Sequence, residues 1–143
     1  MIFIRQANPS DAPAVVTLIR ELAASMGEQT PLFPAYVEGY LADPGCFILL
    51  AEEQDRAVGL LSYTLRPNLY HAGTSALIDE LVVVDGQRGR GIGEALVARL
   101  LDELVNLRCA EVSVSTMLDN HGAQRFYRRL GFEDEALFLE RHF

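Results

Sequence analysis

The chain has 143 residues, of which 50% are hydrophobic and 22% charged, with a formal net charge of −8. That length and balance describe a single domain over residues 1–143 with enough apolar content for a proper core, and they exclude a disordered chain. The acidic excess argues against nonspecific nucleic-acid binding, which depends on basic side chains neutralising phosphates.

The elements follow in order. Ile2 to Arg5 reads as a short strand. Asn8 to Asp11 offer a helix cap, and Pro13 sits in the first turn, where its missing N–H costs nothing. Val15, Leu18, Ile19, Leu22 and Met26 mark one face of a helix that Gly27 ends. Glu28 to Asp43 is the least regular stretch, with a short helix around Tyr36, Val37, Tyr40 and Leu41. Its aromatic residues Phe33, Tyr36 and Tyr40 either line a substrate pocket or pack this helix onto a sheet. Cys46 to Glu52 and Ala57 to Leu65 form a hairpin across the polar turn Glu53 to Arg56. Arg66 to Ser75 reads as a long connection, in which His71 is either a catalytic base or a solvated loop histidine.

Leu77 to Val84 is the next strand. A glycine-rich turn follows, and then a helix carrying Ile92, Leu96, Leu100 and Leu104 at helical spacing. Glu111 to Thr116 alternates as a strand does. His121 to Leu130 is a helix stopped by Gly131, and Leu137 to Phe143 reads as a closing strand. The order predicts a mixed α/β layer fold with helices on both faces of one twisted sheet. Cys46 and Cys109 share no C-x-x-C motif and read as buried free thiols. The N-terminus lacks a signal-peptide layout and no run reaches membrane-spanning length, so the expected location is cytoplasmic, with no membrane partner.

The centre of the chain is the strand–turn–helix from Ala76 to Leu101. The first N–H groups of a helix lack partners, and the helix dipole makes them attractive to anions. Gly89, Gly91 and Gly93, flanked by Arg88 and Arg90, let a phosphate approach that backbone closely. A P-loop needs a lysine, and the chain has none. A dinucleotide fingerprint needs a third glycine where Glu94 stands. Asp79 and Glu80 are consecutive acids in an otherwise apolar strand. A charge is costly to bury there, so at least one of them faces a cavity or a cation. His71, His121 and His142 have no paired ligand spacing, and no metal is expected.

Arg88, Gly91 and Gly93 match the R/Q-x-x-G-x-G/A signature, with Leu81 and Val83 leading into it as L-x-V. Asn120, Ala123, Phe126, Tyr127, Gly131 and Phe132 spell N-x-x-A-x-x-F-Y-x-x-x-G-F. On these two motifs the chain resembles the GNAT superfamily of N-acetyltransferases, over essentially its whole length. The resemblance implies the GNAT fold, a mostly antiparallel sheet whose central strand and the next splay apart around the cofactor. It implies acetyl-CoA as co-substrate, no metal, and direct transfer of the acetyl group to the primary amine of a small molecule or peptide. Many relatives pair as homodimers.

Carried onto this chain, the resemblance puts Leu81, Val82 and Val83 along the pantetheine arm. Arg88, Gly89, Arg90, Gly91, Ile92, Gly93 and Glu94 lie at the pyrophosphate, and Asn120 and Tyr127 lie beside the cofactor. Tyr127 is then the general acid for the leaving thiolate, protonated at neutral pH by its ordinary pKa. Either Asp79 or Glu80 is the base or the ammonium-binding group, Glu80 being favoured by side-chain reach. The rival reading is a non-catalytic acyl-CoA-binding sensor or scaffold.

Overall fold

The computed structural model describes residues 1–143. β1 (Phe3–Gln6) leads through a single 3-10 turn, capped by Asn8, into α1 (Ala12–Ser25). α2 (Pro34–Ala42) follows, then β2 (Cys46–Glu53), β3 (Arg56–Asn68), β4 (Gly73–Val83), α3 (Ile92–Asn106), β5 (Glu111–Val114) and α4 (His121–Arg129). The five strands form one sheet in the order β1-β2-β3-β4-β5. Every neighbouring pair is antiparallel except β4 and β5, which run parallel across the α3 crossover.

Alternation along the strands builds two cores. Leu49, Leu61, Ala76 and Ile78 face α3 and meet Leu96, Val97 and Leu100. Ile48, Leu50, Leu60 and Val82 face the other way and meet Val15, Leu18 and Val37 of α1 and α2. Neighbours such as Leu49 and Leu50 are therefore both buried, one on each face. Helices thus cover both faces of the sheet, as the element order predicted. At Gly59 of β3 the helix comes close enough to demand a missing side chain. A Cβ there would stand 3.0 Å from Ile92 Cγ2 and 3.2 Å from Leu96 Cδ1.

Two expectations from the sequence need correction. Arg66 to Ser75 is not a long connection. β3 continues to Asn68 and β4 begins at Gly73, with Arg66 opposite Ser75 and Pro67 opposite Thr74. Proline and glycine made this stretch read as loop. However, the β2 ladder along β3 ends at Thr64, so Pro67 lies where β3 has a free side and its missing donor breaks no rung. The second correction concerns Leu137 to Phe143, which forms no strand. No strand borders the outer edge of β5, and Leu137, Leu139 and Phe143 remain exposed. Apolar content marks a strand only where an edge receives it. No helix is long and apolar enough to cross a membrane.

Candidate active site

The register of β4 creates the site. β5 pairs with β4 only from Ser75 to Ile78, opposite Glu111 to Val114. From Asp79 to Val83, β4 has β3 on one side and no strand on the other. The parallel pair therefore parts at Ile78 and Val114, leaving an open β4 edge that leads straight into the glycine-rich turn.

That turn and edge line a cleft of about 590 Å³. Leu81, Val82 and Val83 form its strand wall, Gln87 to Gly89 and Gly91 to Glu94 its floor, and Phe126 and Arg129 of α4 close it. Gly91 precedes the first residue of α3 with φ 79°, a left-handed conformation that disfavours a side chain. No side chain caps this helix, so the N-terminal N–H groups of α3 remain available to a ligand at the cleft. Arg88 lines the cleft, its Nε 3.3 Å from the carbonyl of Val83.

Of the residues expected at the cofactor, Arg90, Asn120 and Tyr127 do not line this cleft. Arg90 turns away and binds Glu53 at the β2–β3 hairpin, with Nη1 2.6 Å from Oε2 and Nη2 3.0 Å from Oε1. This pair holds the Glu53 carboxyl below its ordinary range. Asn120 caps α4, its Oδ1 accepting the Ala123 N–H at 3.1 Å. Four residues not expected at the cofactor do line it: Leu22, Gln87, Phe126 and Arg129. Arg129 carried a readable signal. It stands three residues beyond Phe126 on α4 and therefore on the same helix face, with its guanidinium 5.6 Å from the Phe126 ring.

The acidic pair sits at a break in the strand. Ser62 opposes Glu80 while Tyr63 opposes Ile78, so Asp79 is the extra residue of a β-bulge. The bulge inverts the facing of β4: Ile78 packs towards α3, whereas Val82 packs towards α1 and α2. Glu80 alternates with Val82 and so lies on the α1 and α2 face. There its N–H donates to Ser62 Oγ at 3.0 Å, and Ser62 Oγ donates back to Glu80 Oε1. Burial raises the carboxyl pKa of Glu80, partly offset by Ser62, with the Asp79 charge adding to the rise. Burial raises Asp79 as well. No positive group lowers either one.

Tyr40 of α2 lies on this same face, its hydroxyl 3.5 Å from the carbonyls of Phe47 and Tyr63. Burial and the charges of Cys46, Asp79 and Glu80 raise its pKa. Burial likewise raises the thiol of Cys46, with Asp43 and Asp79 adding to it. Of the three aromatic residues singled out in this region, only Tyr40 packs down onto the sheet; Phe33 and Tyr36 stay exposed, edge to face with each other. His71 belongs elsewhere. It lies in the β3–β4 turn, at the far end of β4 from the cleft, with Nε2 3.3 Å from Glu111.

Tyr127 approaches from the opposite face. It packs in the α3-side core, with its ring edge to face with Phe126 and Phe132. Burial pushes its pKa up to about 12. Its hydroxyl bonds no protein group, and the only fully buried side-chain polar atom without a partner is Ser75 Oγ, so the Tyr127 oxygen reaches accessible space. The Glu80 carboxyl group thus lies on one face of the sheet and the Tyr127 phenol on the other.

Known proteins are similar to this chain in sequence and in fold. The family model described as "Acetyltransferase (GNAT) family" matches residues 15–132. The chain is 31% identical over 133 residues to the aminoalkylphosphonate N-acetyltransferase of Salmonella typhimurium, covering 91% of this chain and 84% of that protein. It is 24% identical to the thialysine N-epsilon-acetyltransferase of Mus musculus, covering 92% and 84%. Among solved structures, one assigned as an acetyltransferase from Agrobacterium tumefaciens superposes with a TM-score of 0.87 at 29% identity, over 98% of this chain and 99% of the other. Another, described as a transcriptional regulator from Bacillus halodurans, gives 0.88 at 27% identity over the full length of both.

Proposed function

The chain belongs to the GNAT family of N-acetyltransferases, and from that premise we propose that it moves an acetyl group from acetyl-CoA directly onto the primary amine of a small cationic molecule or peptide. The observation that carries this reading is the open β4 edge running into an uncapped helix N-terminus, with Glu80 on one face of the sheet and Tyr127 on the other.

The chain's own groups divide the work. The N–H groups at the start of α3, reached past Gly91, bind the pyrophosphate, and Arg88 and Arg129 add charge at the mouth of the cleft. Leu81, Val82 and Val83 bind the pantetheine amides along the free edge of β4, as an added strand would, and a β4 N–H polarises the thioester carbonyl. Acetyl-CoA, when bound, supplies the activated acetyl thioester. Glu80 takes a proton from the acceptor ammonium, directly or through water, and leaves a neutral amine. Asp79 binds the cationic end of the acceptor. Tyr127 holds its proton at neutral pH and delivers it from its hydroxyl to the sulfur as the thioester C–S bond breaks. The second proton, shed by the acylated nitrogen, passes through water to restore the phenol. Asn120 acts through the start of α4, which it caps.

The acceptor surface carries Asp79, Glu80 and Asp43 near Tyr40 and Cys46, and neither strand carboxylate has a cation beside it. This favours a cationic amine over an anionic acceptor. Two unpaired cysteines support a reducing compartment such as the cytoplasm. The unpartnered Tyr127 hydroxyl and the paired carboxylates count against a sensor without activity, for which neither group has a use.

The test is free-thiol release from acetyl-CoA with a panel of polyamines, amino acids, 2-aminoethylphosphonate, aminoglycosides and short peptides with free N-termini. Release with a cationic amine, and a matching acetylated product by mass spectrometry, is the expected result. Release only with anionic acceptors contradicts the cationic assignment.

A further inference from the structure

Two serines are buried in the sheet, Ser62 and Ser75, and of these only Ser62 is bonded. Ser62 lies on β3, is 3% exposed, and stands opposite Glu80 at the bulge. A serine hydroxyl offers one proton and accepts through its lone pairs. Here both capacities go to one residue: the Glu80 N–H donates to Ser62 Oγ, and Ser62 Oγ donates to Glu80 Oε1. The bulge requires the first bond, because the extra residue Asp79 interrupts the ladder and leaves a β4 N–H to be satisfied otherwise. The second bond selects one orientation for a side chain that otherwise rotates.

We propose that Ser62 is a positioning residue for the reaction, its hydroxyl fixing the Glu80 carboxylate as an oriented proton acceptor on the α1 and α2 face. The inference rests on the reading of Glu80 as the base. Nothing else in the surroundings does this work. The titratable groups facing the pair are Asp79 on β4, Tyr40 on α2 and Cys46 on β2, all neutral or negative. α1 brings no cation to it, and its Glu21 is taken up by the Asp85 N–H. Among these neighbours Ser62 alone favours the ionised form of Glu80; burial and the Asp79 charge oppose it.

The test needs no acceptor. In the intact apo protein the Glu80 carboxyl carbon is followed by 13C NMR across pH, assigned by its disappearance in Glu80→Gln. In Ser62→Ala it titrates at higher pH than in the wild type, so that at a pH where the wild-type group is mostly ionised the ionised-to-protonated ratio falls ~10-fold. Ser62→Cys keeps the size of the side chain with a weaker donor, and it shifts in the same direction if the alanine variant folds poorly. An unmoved Glu80 titration in folded Ser62→Ala or Ser62→Cys overturns the assignment of Ser62, whatever the turnover. The base reading fails separately: full turnover of Glu80→Gln overturns it, and with it the catalytic part of this inference.

Discussion

Arg90 is committed to Glu53, held by two hydrogen bonds of 2.6 and 3.0 Å that join the glycine-rich turn to the end of the β2–β3 hairpin. A guanidinium engaged in this way is not free to meet a phosphate. Arg88, two residues earlier, lines the cleft. The two arginines, alike in sequence context, therefore have different consequences. Arg90→Ala weakens CoA binding by no more than about 3-fold, as expected for an exposed ion pair. Arg88→Ala weakens it more and reduces its salt dependence. Calorimetric titration with CoA at two salt concentrations checks both. An Arg90→Ala loss as large and salt-sensitive as that of Arg88→Ala contradicts the assignment.

Gly91 takes a left-handed conformation at the helix start, with open space around it. Gly91→Val strains that backbone and puts a branched side chain where a ligand must approach. The variant folds with a modestly lower Tm, and its CoA affinity drops ~10-fold or more. Circular dichroism melting beside calorimetry separates the two effects, and unchanged affinity in the folded variant removes the cradle.

Gly59 has the opposite character, since its backbone is ordinary but its surroundings are full. Gly59→Ala brings a Cβ to 3.0 Å from Ile92 and 3.2 Å from Leu96, so the first turn of α3 must shift. Overpacking of this kind costs about 1–3 kcal/mol. Because Ile92 begins the helix that would hold the pyrophosphate, the KM for acetyl-CoA rises together with the loss of Tm. A lower Tm with unchanged KM shows that the shift stays within the core.

Glu80→Gln tests the base and also carries a stability signature. Burial raises the pKa of Glu80 in the folded chain above its ordinary value. The native state therefore binds more protons than the unfolded one between those two pH values, and stability falls as pH rises through that window. Above the window the ionised group is a standing penalty that glutamine removes. Glu80→Gln thus melts higher than the wild type at neutral pH, and the difference disappears below the ordinary carboxylate range. Its turnover falls ~100-fold. A melting temperature that responds equally at all pH values contradicts the burial argument.

Local features were legible in the sequence and distant ones were not. The three alternating glycines announced the turn, and the spacing of Ile92, Leu96 and Leu100 announced the helix behind it, because both depend on residues near one another. Val15, Leu18 and Leu22 announced α1 in the same way. The commitment of Arg90 to Glu53 was invisible, since it joins positions 37 residues apart. The bulge at Asp79 was invisible too. Simple alternation sets Asp79 and Glu80 on opposite faces, but it does not reveal that pairing with β3 reverses the facing of every residue after Ile78. Pro67 and Gly73 read as loop because the sequence does not say that one side of β3 is unoccupied there. Leu137 to Phe143 read as a strand because it does not say that no edge receives them.

The most direct measurement compares the wild type with Tyr127→Phe, which removes only the hydroxyl, a group that bonds no protein partner and reaches accessible space. Turnover of acetyl-CoA with the best acceptor of the amine panel is measured alongside the dissociation constant for CoA. The account predicts a ~100-fold fall in kcat with CoA affinity unchanged, the signature of a proton donor used in the transfer and not in binding. Equal turnover in the two proteins contradicts it.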